Sequence, residues 1–163
     1  MSTIDLHIHP YYSDGRYSPS QILAHAARLG LKTIAFTDHD NTNGVREALP
    51  LARQQGIELV PAIELTCRWP ECDTPPGDGA PSDGAPDAGD IDLLGYFIDL
   101  DKAAFHAFEQ ASLADIHARM GDCCARLTSM GYPLSLADAF ERNPRYAGAL
   151  QVVQAIQHKR YAE

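Results

Sequence analysis

Three side chains of the types that bind metal ions occur close together near the start of the chain. The stretch DLHIHPYYSDG carries His7 and His9 two residues apart, followed by Asp14 beside Gly15. Side chains two apart on a β-strand lie on the same face, so the two imidazoles can bind one ion or two adjacent ions. Asp14 can return a carboxylate to the same place through the turn. This spacing predicts a metal-binding site at the end of a first strand.

Two further groups of the same chemistry follow later in the sequence. The stretch TDHD at residues 37–40 ends a second apolar segment, and Glu64 lies near the end of a third. Parallel α/β folds build their active sites at the carboxyl ends of their strands, so these groups are predicted to converge with the first. A glutamate buried without a partner would be costly, and Glu64 is therefore expected to have a cationic partner.

The elements that must position these groups alternate between strand and helix patterns. The stretches STIDLHIH, LKTIAFTDHD, IELVPAIELT and DIDLLGYFIDL are predicted as strands, and YSPSQILAHAARLG as a helix ending at Gly30. A second helix, NTNGVREALPLARQQG, is expected to be kinked or split at Pro50. Strands separated by helices imply right-handed crossovers, so the fold class predicted is α/β with a mainly parallel sheet or barrel.

The length of 163 residues suits one domain, predicted over 1–163. Residues 70–90 are rich in Pro, Gly and Asp and cannot form a packed face, which predicts a flexible surface loop. From about residue 102 to 163 the pattern is mainly helical, and it contains no further strand.

Charge and hydropathy exclude several classes of function. Acidic residues outnumber basic ones by 22 to 13, the net charge is -9, and no basic stripe is available for duplex DNA or RNA. No apolar stretch approaches the roughly 18 residues of a membrane span, and the first residues do not resemble a secretion signal. We therefore expect no membrane association and a cytoplasmic location.

With these motifs, the stretch from DLHIHPYYSDG through TDHD to VPAIEL resembles the PHP family, the polymerase and histidinol phosphatase superfamily of metal-dependent phosphoesterases. The likeness is clear over about residues 4–66 and weaker to about residue 150. Within the family it is nearest to the bacterial branch that hydrolyses nucleoside 3',5'-bisphosphates and short RNA from the 5' end. The resemblance implies part of a distorted seven-stranded β/α barrel: its N-terminal strands, followed by a helical C-terminal part.

The resemblance also implies a cofactor of two or three divalent metal ions. By position, His7 and His9 would bind one ion, Glu64 would bridge two, and Asp14 with His39 would bind the remaining ion. Imidazole together with carboxylate suits manganese, iron or zinc better than calcium.

Four more residues acquire expected roles from the same resemblance. Asp38 and Asp40 would not bind the metal directly but would orient the His39 side chain. Asp92 stands before LLGY where the family usually has a His ligand, and Arg145 resembles a phosphate-contacting arginine.

The activity implied is hydrolysis of a phosphomonoester by a metal-bound hydroxide. The expected substrate is a nucleoside 3',5'-bisphosphate or the 5' end of a short RNA, with histidinol phosphatase and polymerase-associated exonuclease activities as alternatives. Family members of this branch continue further and carry a later His and an Asp-x-His motif, neither of which occurs here. The chain is therefore expected to be a truncated gene product, a fragment or a divergent short form. The alternative function is that of a non-catalytic remnant or binding module that still binds metal. Such a chain would leave an open sheet edge and could self-associate.

Overall fold

The computed structural model describes residues 3–68 and 90–161 of the chain. The loop predicted over 70–90 lies outside the described residues, except for residue 90, where the fourth strand begins.

Four strands form one sheet in the order β1-β2-β3-β4. They are β1 Ile4–Ile8, β2 Thr33–Phe36, β3 Glu58–Arg68 and β4 Asp90–Tyr96. The pairs β1–β2 and β2–β3 are parallel, as the sequence predicted, whereas β4 runs antiparallel to β3. The mainly parallel sheet that was predicted is therefore found in two of the three strand pairs, and β4 returns along its neighbour without a helical crossover.

Two helices cover the parallel part of the sheet. Helix α1, Pro19–Leu29, begins at a capping box formed by Ser18 with Gln21 and ends at Gly30, whose φ of 76° suits glycine. Helix α2, Asn43–Gln54, continues through Pro50 and is not split there; the alternative expectation, a kink at Pro50, stays a prediction. Pro50 is exposed, so its ring can be accommodated on the solvent side of the helix at the cost of one backbone hydrogen bond.

The main core lies between these helices and the sheet. It consists of buried apolar side chains from α1, α2, β2 and the start of β3: Leu23, Ala26, Ile34, Phe36, Val45, Ala48, Ala52, Ile57 and Leu59. This packing fixes the strands whose carboxyl ends carry the candidate ligands.

Three more helices follow the sheet: α3 Ala103–Ser129, α4 Leu136–Phe140 and α5 Ala149–His158. They enclose a separate small core that includes Cys124, Leu134, Ala139, Ala147, Val152 and Ala155. Two buried amides join this helical part to the turn after β1, since Asn143 donates to the Tyr11 carbonyl and Gln151 donates to the Ser13 carbonyl. Among the helices described, none is long and apolar enough to cross a membrane.

Candidate metal centre

The first two candidate ligands project from the end of β1. His7 lies within the strand, His9 follows its last residue, and the two imidazole rings are 5.0 Å apart. The register of β1 with β2 shifts between Asp5 and Ile8, and the pairing continues beyond the shift, because Thr37 N donates to the Ile8 carbonyl at 2.9 Å. The two-residue spacing therefore places both imidazoles at the same edge of the sheet, as predicted.

A tight turn brings Asp14 back to His9. Gly15 packs so closely on the preceding strand that an added Cβ would lie 1.8 Å from the His9 carbonyl oxygen. The turn is closed by a hydrogen bond of 3.0 Å from Tyr11 N to the Tyr17 carbonyl. As a result, Asp14 Oδ1 lies 3.0 Å from His9 Nδ1.

His39 and Glu64 are set side by side by a short continuation of the sheet. Asp40 N donates to the Glu64 carbonyl at 2.9 Å, and Glu64 N donates to the Asp38 carbonyl at 3.3 Å. Asp40 has a φ of 53°, a left-handed conformation that Asp tolerates better than most residues, and its carboxylate accepts from Thr66 N at 3.0 Å. The bridge between residues 39 and 64 thus brings two distant parts of the sequence into one site.

One carboxylate oxygen lies at the centre of the cluster. Glu64 Oε2 is 3.0 Å from His9 Nε2, 3.1 Å from His7 Nε2 and 3.8 Å from His39 Nε2. Asp14 Oδ2 approaches His39 Nε2 at 4.0 Å. The Glu64 side chain is 8% exposed and that of Asp14 is 52% exposed, so the site has a buried base and an open mouth.

Asp92 also reaches this cluster. In the antiparallel pair β3–β4 it lies opposite Thr66, two residues from Glu64, and therefore on the same face of the sheet. The possible ligand atoms form three overlapping sets, each within 4.8 Å: His7, His9 and Glu64; His9, Asp14 and His39; His39, Glu64 and Asp92. The structure thus brings together all six residues that were predicted as ligands.

The geometry and protonation of the cluster fit a divalent cation. In a tetrahedral zinc site, metal–nitrogen bonds of 2.0–2.1 Å place neighbouring ligand atoms about 3.3–3.4 Å apart, a few tenths of an ångström more than the shorter distances found here. Burial lowers the pKa of His9, with Asp14 and Glu64 opposing the shift and the other two imidazoles adding to it. A neutral imidazole can donate from only one nitrogen, yet His9 faces carboxylate oxygens with both. A cation between these atoms would interact favourably with both. The buried Nδ1 atoms of His9 and His39 make no hydrogen bond, since the 3.0 Å approach of Asp14 Oδ1 to His9 Nδ1 lacks hydrogen-bond geometry.

Asp38 supports the turn that carries Asp14. It is fully buried, and Ser13 Oγ donates to its Oδ1 at 2.6 Å. Burial raises the pKa of Asp38 well above its usual value, against the opposing effect of the Ser13 hydrogen bond. Gly44 leaves room for the other oxygen, since a Cβ there would lie 2.3 Å from Asp38 Oδ2. The expected role of Asp38 and Asp40 in orienting His39 stays a prediction.

Ser13 is the supporting residue that sequence reasoning missed. Its position between Tyr12 and Asp14 in the turn was a signal, because small hydroxyl residues in turns often bond to nearby polar groups. What the sequence could not show is that its partner is 25 residues away at the end of β2.

Arg145 lies beside the metal-binding cluster and outside it. Its guanidinium is exposed and sits 4.6 Å from the centre of the Tyr11 ring and 5.7 Å from that of Tyr12. Both tyrosine hydroxyls donate to Glu47, at 3.3 and 2.7 Å. Burial, helped by the Glu47 hydrogen bond, raises the pKa of Tyr12 to about 12. Arg145 and Asp14 line one neighbouring cavity, so the predicted phosphate-contacting residue is close to the cluster.

Comparison with known proteins gives one family and several relatives. The sequence pattern of the family described as "PHP domain" matches residues 5–107, which contain all six clustered ligand candidates. The chain is 38% identical over 69 residues to a 3',5'-nucleoside bisphosphate phosphatase from Chromobacterium violaceum, covering 42% of this chain and 24% of that protein. It is also 38% identical over 65 residues to a 5'-3' exoribonuclease from Haemophilus influenzae, covering 40% and 24%.

A solved structure shares the fold over nearly the whole chain. It is an amidohydrolase from Chromobacterium violaceum with bound sulfate and no metal. The match has a TM-score of 0.78 and 23% identity and covers 99% of this chain and 51% of that one. The chain therefore spans about half the length of that structure, and its match with the two curated relatives spans about a quarter of theirs.

Proposed function

This chain belongs to the PHP domain family, and on that basis we propose that it carries the metal centre of a metal-dependent phosphoesterase that hydrolyses a phosphomonoester. The observation that carries the proposal is the convergence of three imidazoles on one buried oxygen, Glu64 Oε2. Imidazole with carboxylate is the donor set of hydrolytic centres that use manganese, zinc or iron.

Each side chain of the cluster has a distinct part in the proposed centre. His7 and His9 would hold one ion together with Glu64, and the Glu64 carboxylate would also help to hold a second. His39 and Asp14 would hold that second position. Asp92, which reaches His39 and Glu64, would add an oxygen ligand where the family usually has an imidazole.

A bound divalent ion would lower the pKa of water and neutralise charge on the phosphoryl oxygens. The residues of the chain prepare the site for that chemistry. Burial lowers the pKa of His9, which favours the neutral imidazole whose nitrogen lone pair can bind a metal ion. Glu64 is held at the base by the backbone pairing with residues 38–40, and Asp14 stands at the mouth, where substrate enters.

The proposed substrate is a nucleoside 3',5'-bisphosphate or the 5' end of a short RNA. This choice is supported by the two relatives that bear those activities in their names. It also accords with the charge of -9, because a strongly acidic protein needs metal ions or a few placed cations to attract a phosphate.

The experiment has two readouts on the purified chain. Binding of manganese and zinc is measured by calorimetry, and phosphate release is measured with adenosine 3',5'-bisphosphate. His9→Ala is expected to weaken metal binding by at least about tenfold and to abolish phosphate release. His25→Ala is the matched control, since His25 is exposed on α1 beside Arg28 and lies outside the cluster.

Three results would count against the proposal. Unchanged metal binding in His9→Ala would remove the assignment of the site. Metal binding without release of phosphate would keep the site and refute the phosphoesterase activity of this chain. Equal losses in His9→Ala and His25→Ala would show that the effect is not specific to the cluster.

A further inference from the structure

Three consecutive backbone carbonyls precede Asp14 in the turn after β1, and all three are bonded to buried side chains. We call residues 11–14 the Asp14 turn. Each carbonyl accepts from a different amide: Tyr11 from Asn143, Tyr12 from Asn41 at 3.0 Å, and Ser13 from Gln151 at 3.4 Å. The three amide side chains belong to residues that are only 3–8% exposed. Water usually satisfies the backbone of a loop, so here protein groups take its place.

Each of the three amides is also bonded through its oxygen. The oxygen accepts from a backbone N–H of the segment that carries the amide: Asn41 from Asn43 N at 3.1 Å, Asn143 from Arg145 N at 3.0 Å, and Gln151 from Gly148 N at 3.1 Å. The nitrogen of each side chain therefore bonds to the Asp14 turn and the oxygen bonds to its own segment. Bonds at both ends fix the orientation of an amide, so each one fixes the turn relative to that segment.

Two of the amides belong to the helical part of the chain. Asn143 lies between α4 and α5, and Gln151 lies in the first turn of α5. Their neighbours Ala147 and Val152 are buried in the second core, which shares no residue with the core beside the sheet. The place of the Asp14 turn therefore depends on the helical part as well as on the strand that precedes the turn.

The carboxylate of Asp14 takes its position from the backbone of this turn. Its side chain is 52% exposed, yet Oδ1 lies 3.0 Å from His9 Nδ1 and Oδ2 lies 4.0 Å from His39 Nε2. An aspartate side chain is short, so a shift of its backbone moves the carboxylate by a similar distance. Binding sites generally need their groups within about 0.5 Å of the productive position. The bonds that hold the turn therefore bear on metal binding.

We propose that Asn143 and Gln151 are positioning residues of the metal centre, which hold Asp14 in place through the carbonyls of the Asp14 turn. This inference rests on the proposed function, because it takes Asp14 as a ligand of a bound ion. Within the described residues, all six clustered ligand candidates precede α3, so the helical part acts on the centre through the turn. By linkage, a bound ion would in turn stabilise the attachment of the helical part.

A double-mutant cycle with Asp14 tests whether the amides act through that residue. Gln151→Met keeps the length of the side chain and removes its hydrogen bonds, which leaves the Ser13 carbonyl without its amide donor. In the otherwise wild-type chain, this change is expected to weaken manganese binding about tenfold in calorimetry. In the Asp14→Ala chain, which already lacks the carboxylate, the same change should alter the manganese affinity by less than about twofold.

A second variant and a control separate the turn from the helix. Gln151 also bonds to the start of α5, whereas Asn143 lies outside that helix, so Asn143→Ala and Gln151→Met share only the loss of a bond to the Asp14 turn. Asn143→Ala is expected to give the same pattern in the cycle. Gln157→Met is the matched control, because Gln157 is exposed on the same helix, and it should leave the manganese affinity unchanged.

Hydrogen exchange with a chelator present measures the turn without metal. The backbone N–H groups of Tyr11 and Ser13 donate to nearby carbonyls at 3.0 and 3.3 Å, so their exchange rates report whether the turn is closed. Both are expected to exchange at least about tenfold faster in Gln151→Met and in Asn143→Ala. The amides of α1 should keep their wild-type rates, since that helix packs in the other core.

Several results would overturn the inference. Tenfold losses of manganese affinity for Gln151→Met both with and without Asp14 would show that the amide does not act through Asp14. An equal loss in Gln157→Met, or faster exchange throughout α1, would assign the effect to general destabilisation. Wild-type manganese affinity in Gln151→Met and Asn143→Ala, with phosphate release intact, would refute the inference and leave the proposed function standing.

Other results bear on the proposed function. The expected cycle in a manganese-loaded chain that releases no phosphate from adenosine 3',5'-bisphosphate would refute the proposed activity alone. A wild-type chain that binds no manganese and no zinc would refute the metal centre and, with it, the positioning role of the two amides.

Discussion

Replacing Gly15 with alanine should disturb the metal centre without removing any ligand. The new Cβ would lie 1.8 Å from the His9 carbonyl oxygen and 2.5 Å from both the His9 carbonyl carbon and the Pro10 oxygen. All three atoms belong to the backbone, and Cβ atoms essentially never approach other atoms below 3.0 Å. The turn must therefore move by about 1.2 Å, the difference between 3.0 and 1.8 Å, relative to β1.

The size of the effect follows from that displacement. Overpacking of this kind costs about 1–3 kcal/mol, and we expect Gly15→Ala to lower the free energy of unfolding of the metal-free chain by that amount. Asp14 would leave its position 3.0 Å from His9, while binding sites generally need their groups within about 0.5 Å. We expect manganese to bind at least about tenfold more weakly, which corresponds to about 1.4 kcal/mol. Urea unfolding and calorimetry measure the two quantities.

Gly121→Ala is the matched control. Gly121 lies inside α3, and a Cβ there would meet nothing within 4 Å. Alanine at that position should stabilise the chain by up to about 1 kcal/mol and leave metal binding unchanged. If Gly15→Ala bound manganese as tightly as wild type, the argument that Gly15 places Asp14 as a ligand would be refuted.

Three other predictions follow from different parts of the molecule. Glu109 accepts from Thr42 N at 2.7 Å and from the Thr42 hydroxyl at the start of α2, so Glu109→Gln should lower the free energy of unfolding by about 1–2 kcal/mol in urea titrations. Hydrogen bonds from Ser135 lower the pKa of Asp138 to about 2, below its usual 3.8. Its stabilising contribution is therefore present above pH 3.8 and lost as the pH falls toward 2; the stability difference between wild type and Asp138→Asn should close over that interval. The edge strand β1 exposes Leu6, so the wild-type chain should self-associate with rising concentration in sedimentation experiments and Leu6→Lys should not.

Each of these has a result that would contradict it. Unchanged stability of Glu109→Gln would mean that α3 does not cap α2. A stability difference for Asp138→Asn that does not vary between pH 5 and pH 2 would remove the pKa argument. A wild-type chain that stays monomeric at every concentration would show that the exposed edge of β1 is not used for self-association.

The sequence by itself determined the local elements and the identity of the candidate ligands. A spacing of two residues predicts that His7 and His9 share one face of a strand. The ends of helix α1 were equally local, because Ser18 and Gly30 act through hydrogen bonds and dihedral angles within a few residues. The rule that parallel strands carry active sites at their carboxyl ends then brought in Glu64 correctly.

Only the tertiary structure decided which distant groups meet and in which direction the last strand runs. The antiparallel register of β3 with β4 puts Asp92 beside the cluster, and no local pattern specifies a strand's partner. The contact of Ser13 with Asp38 spans 25 residues, and the hydrogen bond from Asn143 to the Tyr11 carbonyl spans 132 residues. Periodicity tells which side chains share a face, whereas their meeting depends on the packing of buried apolar surfaces, which is a property of the whole chain.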